Sequence, residues 1–168
     1  MKRSWYLIIA AGVALLAMPA LQYLNRPGAG DEAPHFEIAS AGGETVRLED
    51  FSGSPVILHF WASWCGSCLS ELPALARLSE EYAERGLALL AVSLDESFES
   101  AASTVQRHAP GLPLFLDQDG NAADAYHSFG VPDNIFIDRQ GKIVWRRSGH
   151  MDWDSEELRA RIERLIGE

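Results

Sequence analysis

The chain has little cysteine, no cationic domain surface and no internal repeat, and each shortage removes a class of function. Two cysteines occur in 168 residues. Disulfide-stapled secreted domains carry more, at wider spacing. Cys65 and Cys68 close so small a loop that a bond between them adds little stability, so chemistry explains the pair better than stapling does. A structural zinc site needs four ligands, and there is no second cysteine pair to supply them. From Asp31 onward the chain has 11 basic against 24 acidic residues, a formal charge of −13. Phosphate backbones need Lys and Arg, so nucleic acid is excluded as a partner.

Acidic residues are absent before Asp31, whereas Lys2 and Arg3 precede an apolar run over residues 5–24. Twenty residues at about 1.5 Å each span roughly the 30 Å of a bilayer core. Trp5 and Tyr6 at one end and Tyr23 at the other stand where aromatic belts form. Met18-Pro19-Ala20 is a poor cleavage site because Met18 is not small. The expectation is a single-pass signal-anchor over residues 1–24 in the cytoplasmic (inner) membrane. Its positive end stays inside, with the acidic domain in the periplasm or extracytoplasmic space. Residues 25–33, rich in Gly and Pro, read as a linker, and residues 34–168 as one domain.

Within the domain, residues 35–38 and 45–48 flank Ala41-Gly42-Gly43-Glu44 as a hairpin. Residues 55–61 (PVILHFW) and 87–94 (LALLAVSL) are apolar enough for buried strands. Between them a helix runs from the cysteines to about Arg85, with Leu72, Leu75, Leu78 and Tyr82 on one face and Gly86 after its end. Ser97 caps a second helix that stops before Pro110. A strand over 112–116, a turn at Asp119-Gly120 and a short helix over 121–129 follow. Residues 135–138 and 142–147 form a second hairpin. The last helix, capped by Asp154 or Ser155, turns Leu158, Ile162, Leu165 and Ile166 to one side. The order β-β-β-α-β-α-β-α-β-β-α specifies an α/β fold, a central mixed sheet with helices on both faces.

The chemistry concentrates at Trp64-Cys65-Gly66-Ser67-Cys68. Cys65 ends a strand-to-helix turn, and Cys68 lies three residues on, so the Cys65 sulfur faces the free N–H groups of the helix start. Thiols placed there have pKa values of about 3.5–7.5 instead of about 8.5. Cys65 is then the attacking sulfur, and Cys68 resolves the mixed disulfide. Gly66 and Ser67 are small enough to let a substrate backbone approach, and Trp64 shields the pair and contacts partners. Deprotonating Cys68 calls for a nearby base. His59, on the central strand, is one candidate.

These residues carry a resemblance to the thioredoxin superfamily, and within it to the TlpA-like branch of membrane-anchored thiol–disulfide oxidoreductases (the ResA and CcmG/DsbE types). Ala33-Pro34-His35-Phe36 and Leu48-Glu49-Asp50-Phe51-Ser52-Gly53 resemble the branch's N-terminal hairpin and following turn. Phe60-Trp61-Ala62-Ser63-Trp64-Cys65-Gly66-Ser67-Cys68 is similar to its active-site segment, and Glu71-Leu72-Pro73 to its acidic residue and helix-kinking proline. The resemblance implies a thioredoxin fold with an added N-terminal β-hairpin. It also implies a cis peptide bond at Pro132 in Gly130-Val131-Pro132, where the Val131 backbone pairs with an extended substrate strand. Glu96 matches a functional glutamate of the ResA type and is the second candidate proton handler. The implied role is a reductant of client disulfides, such as those of apocytochrome c, fed by a transmembrane electron donor and needing no cofactor or metal. Three other functions use parts of the same sequence. A disulfide oxidant would use the same pair. A peroxiredoxin would need Thr three residues before its cysteine, where this chain has Ala62. A Sco-like copper module would recruit His150 as third ligand. The chain departs from the branch at Gly66-Ser67, where Pro is common, at Asp133-Asn134 after the proline, and at His59, where thioredoxins often carry a buried acid.

Overall fold

The computed structural model describes Gly12 and residues 24–167. The expected membrane segment therefore lies, apart from Gly12 and Leu24, outside the described residues. Among the described residues no helix is long and apolar enough to cross a membrane.

Seven strands form one mixed sheet in the order β2-β1-β5-β4-β3-β6-β7. They are β1 (Glu37–Ser40), β2 (Thr45–Arg47), β3 (Val56–Trp61), β4 (Ala88–Ser93), β5 (Leu114–Leu116), β6 (Asp133–Ile137) and β7 (Ile143–Ser148). Four helices complete the domain: α1 (Gly66–Ala83), α2 (Phe98–His108), α3 (Asn121–Ala125) and α4 (Glu156–Gly167). Strands β3, β4 and β5 run parallel, while β6 is antiparallel to β3 and β7 to β6. Strand β1 pairs antiparallel with both β2 and β5. This element order is the one expected from the sequence.

The period-two alternation of β3 divides the core. Ile57 and Trp61 face Leu72, Leu75, Ala101, Val105 and Ile162 of α1, α2 and α4. Val56, Leu58 and Phe60 face the other way, against Phe36, Ile38 and the Ala122, Ala123 and Tyr126 of the α3 region. Helices thus cover both faces. Each Leu that α1 sinks into this core contributes about 1.5–3 kcal/mol. Pro73 lies inside α1 without ending it. The third helix is shorter than the 121–129 expected, because Tyr126 caps it and His127 takes a positive φ of 48°. Ser155, not Asp154, caps α4, its hydroxyl accepting the Leu158 N–H.

Residues 26–33, read as linker from composition, are bonded to the domain. Gly30 N–H donates to the Ile143 carbonyl, Ile143 N–H to Asp31 and Ala33 N–H to Gly141. Arg26 donates to the Asp133 carboxylate at 2.8 Å. Strand β7, the end of the sheet, is therefore covered along part of its outer edge.

Candidate active site

The carboxyl end of β3 runs through Ala62 and Ser63 into the start of α1, and this turn carries the cysteines. Cys65 is the N-cap of α1, and its sulfur accepts the Cys68 N–H at 3.2 Å. The two sulfurs are joined at 2.08 Å. Cys65 is 7% exposed and Cys68 fully buried, so only the first offers a sulfur to a partner. The Ser67 hydroxyl stands 3.4 Å from the Cys65 sulfur, and Trp64 is 72% exposed beside it. Gly66 and Ser67 are exposed.

The second wall comes from the loop before β6. The Val131–Pro132 bond is cis, as the resemblance implies. The Val131 carbonyl oxygen lies 3.6 Å from the Cys65 sulfur. Pro132 is buried, and its carbonyl accepts the Gly149 N–H at 2.8 Å, which fixes the loop to the end of β7. The Val131 backbone is left beside the sulfur where an extended peptide would lie.

Three buried acids support these walls. Asp95 follows β4, and its carboxylate accepts the Ser63 N–H and hydroxyl and the Ser93 hydroxyl, bracing the turn ahead of Cys65. Asp133, next to Pro132, accepts from Arg26, Arg146, Ser128 and Ser148. Glu71 stands one helical turn beyond Cys68 on the same buried side of α1. Its Oε1 accepts the Met151 N–H at 2.6 Å and its Oε2 the Trp153 indole N–H at 3.1 Å. His150 Nδ1 is 2.9 Å from Oε1. Burial raises the Glu71 pKa, against the lowering effect of these donors.

The two expected proton handlers fare differently. His59 is fully buried on the α1 side of β3, with Nδ1 4.0 Å from Glu71 Oε2. The Asn134 amide is oriented by donating to the Arg147 carbonyl, so its Oδ1, 2.6 Å away, receives the His59 Nδ1 proton. The ring is thereby left neutral with Nε2 unprotonated, and burial lowers its pKa to about 4. Glu96 is exposed and makes no hydrogen bond among the described residues. Of the three buried acids at this site, two were within reach of the sequence, Asp95 by continuing the inward parity of Ala91 and Ser93, and Glu71 by its three-residue spacing from Cys68. His150, the third ligand of the copper reading, is engaged with Glu71. Among the described residues no cluster of His, Cys, Asp and Glu could hold a metal ion.

The model of the AhpC/TSA family matches residues 29–146. The chain belongs to that family. Within it the chain is similar to the thiol-disulfide oxidoreductase ResA of Bacillus subtilis (strain 168), 31% identical over 160 residues, covering 90% of this chain and 89% of the relative. ResA of Bacillus thuringiensis subsp. konkukian (strain 97-27) is 29% identical over 136 residues, covering 81% and 78%. Among solved structures, a protein assigned as the thiol:disulfide interchange protein DsbE of Chlorobium tepidum superposes with a TM-score of 0.76 at 32% identity, covering 84% of this chain and 99% of that one. The fold is thus a thioredoxin fold of the TlpA-like branch, and this AhpC/TSA member is a thiol-disulfide oxidoreductase of the ResA and DsbE kind.

Proposed function

We propose that the protein reduces disulfides in client proteins outside the cytoplasm, held at the membrane by residues 1–24. The observation that carries the reading is the asymmetry of the cysteines. Cys65 sits at the helix start with an N–H aimed at its sulfur, while Cys68 is shut inside. In the reduced protein the Cys65 thiolate attacks a client disulfide lying against the Val131 backbone, and a mixed disulfide forms. Cys68 gives up its proton and attacks Cys65, the client leaves as a dithiol, and the Cys65–Cys68 disulfide remains. Glu71, a turn away in the same buried layer, is the proton acceptor this geometry favours, with neutral His59 behind it. Trp64, Gly66, Ser67 and Pro132 shape the surface that the client meets. A transmembrane electron donor then restores the dithiol, and apocytochrome c is a suitable client class. No cofactor takes part. With Ala62 three residues before Cys65, the hydroxyl that a peroxidase would need is missing.

Replacing Cys65→Ser is expected to abolish disulfide reduction, and Cys68→Ser to trap a mixed disulfide visible on non-reducing gels. Full activity in the Cys65 variant would sink the assignment. A reduction potential near about −270 mV supports the reductant, whereas one near about −120 mV makes the protein an oxidant.

A further inference from the structure

Glu71 is completely buried, so a proton it takes from Cys68 must leave by way of another group. The structure provides one. His150 Nδ1 lies 2.9 Å from Glu71 Oε1, and the His150 side chain is 56% exposed. The same imidazole thus touches a dry carboxylate with one nitrogen and reaches water with the rest of the ring. The other polar neighbours of Glu71, the Met151 N–H and the Trp153 indole, only donate, so neither can receive a proton. His59 lies farther off, and its Nδ1 is committed to Asn134.

We propose that His150 is the proton gate of Glu71, carrying the Cys68 proton from the buried carboxylate to solvent during resolution. The proposal rests on the reading of Glu71 as the acceptor. His150 acts through Glu71, and it is therefore a positioning residue for that proton. The step balances. Cys68 S–H breaks as Glu71 O–H forms, and the Cys68 thiolate attacks the Cys65 sulfur. The bond from Cys65 to the client breaks and the client sulfur leaves with the electron pair. Glu71 passes its proton to His150 Nδ1, and Nε2 releases one to water, from which the client thiolate is protonated.

Charged groups of both signs surround the gate. Arg147 from β7 and Arg161 from α4 line the groove at His150, as do Asp152 and Glu157. His59 from β3 faces Glu71 from beneath, and Asp133 from β6 acts on His59.

The test uses the reduced full-length protein and a chromogenic aryl disulfide. Two coloured thiolates are released, the first by Cys65 attack and the second by Cys68 resolution. His150→Ala and His150→Gln are expected to leave the first phase unchanged and slow the second about tenfold near neutral pH. Added imidazole should restore the second phase of His150→Ala. Gln keeps a hydrogen bond to Glu71 and cannot relay a proton. A wild-type second phase in His150→Gln, or a slow His150→Ala that imidazole leaves slow, overturns the gate. Glu71→Gln separates the two readings, since a wild-type second phase in that variant removes Glu71 itself as acceptor.

Discussion

Glu71 and Asp133 have fully buried side chains, and both belong to the surroundings of the disulfide, yet they are held in opposite ways. Asp133 lies between two guanidinium groups, Arg26 at 2.8 Å and Arg146 at 2.5 Å, with two serine hydroxyls filling its remaining lone pairs. Among the described residues no guanidinium pairs with Glu71. Its partners are an amide N–H, an indole N–H and one half-exposed imidazole. A buried carboxylate clamped between fixed cations anchors what is attached to it, here the loop that carries Pro132. One held by neutral donors has its pKa raised by burial and is free to take up a proton. The contrast separates a carboxylate that builds the site from one proposed to work in it.

The sharpest way to break this contrast is to neutralise each acid in turn. Asp133→Asn strands two largely buried cations and is expected to cost about 3–5 kcal/mol in urea unfolding. Arg26→Ala leaves Arg146 in place, and a loss of about 1.5 kcal/mol is expected from the same measurement. Glu71→Gln should shift stability by no more than about 1 kcal/mol, because it removes an unfavourable buried charge along with a favourable set of hydrogen bonds. Equal losses at Asp133 and Glu71 would erase the distinction. The smallest effect is in the pH dependence. The folded-state pKa of Glu71 is raised above its ordinary 4.5, so the folded protein binds that proton more tightly than the unfolded chain does. Its contribution is most favourable below the ordinary value and is lost as pH rises through the folded value. The stability of Glu71→Gln relative to the natural protein should therefore improve as pH is raised over that interval. A difference that stays flat or runs the other way would show that Glu71 is not the displaced acid.

Much of this was legible in the sequence because it is local. The apolar runs marked β3 and β4, and Leu72, Leu75, Leu78 and Tyr82 gave α1 its buried side. The three-residue spacing placed the Cys65 sulfur on the Cys68 N–H. The cis bond at Pro132 was legible only through family resemblance, since proline alone favours trans. What stayed hidden depends on pairs far apart in the chain. Glu71 meets His150 and Trp153 only after α4 folds back beside α1, and Asp133 meets Arg26 across more than a hundred residues. Composition gives no sign of the bonds that residues 26–33 make, for the same reason. Gly and Pro signal an open segment, but the edge of β7 lies within reach of their backbone. At Asp95 and Glu96, adjacent acids differ by which side of the chain they leave, Asp95 buried against Ser63 and Glu96 exposed.

To a protease, residues 26–33 are not the loose tether that their composition suggests. Cleavage needs an extended, unpaired backbone, and several N–H and carbonyl groups here are already taken by β7 and by the turn at Gly141. A cut within them would first require that stretch to peel away from the sheet. Scission ahead of Arg26 would instead leave the domain with its edge still covered and its Arg26–Asp133 pair intact.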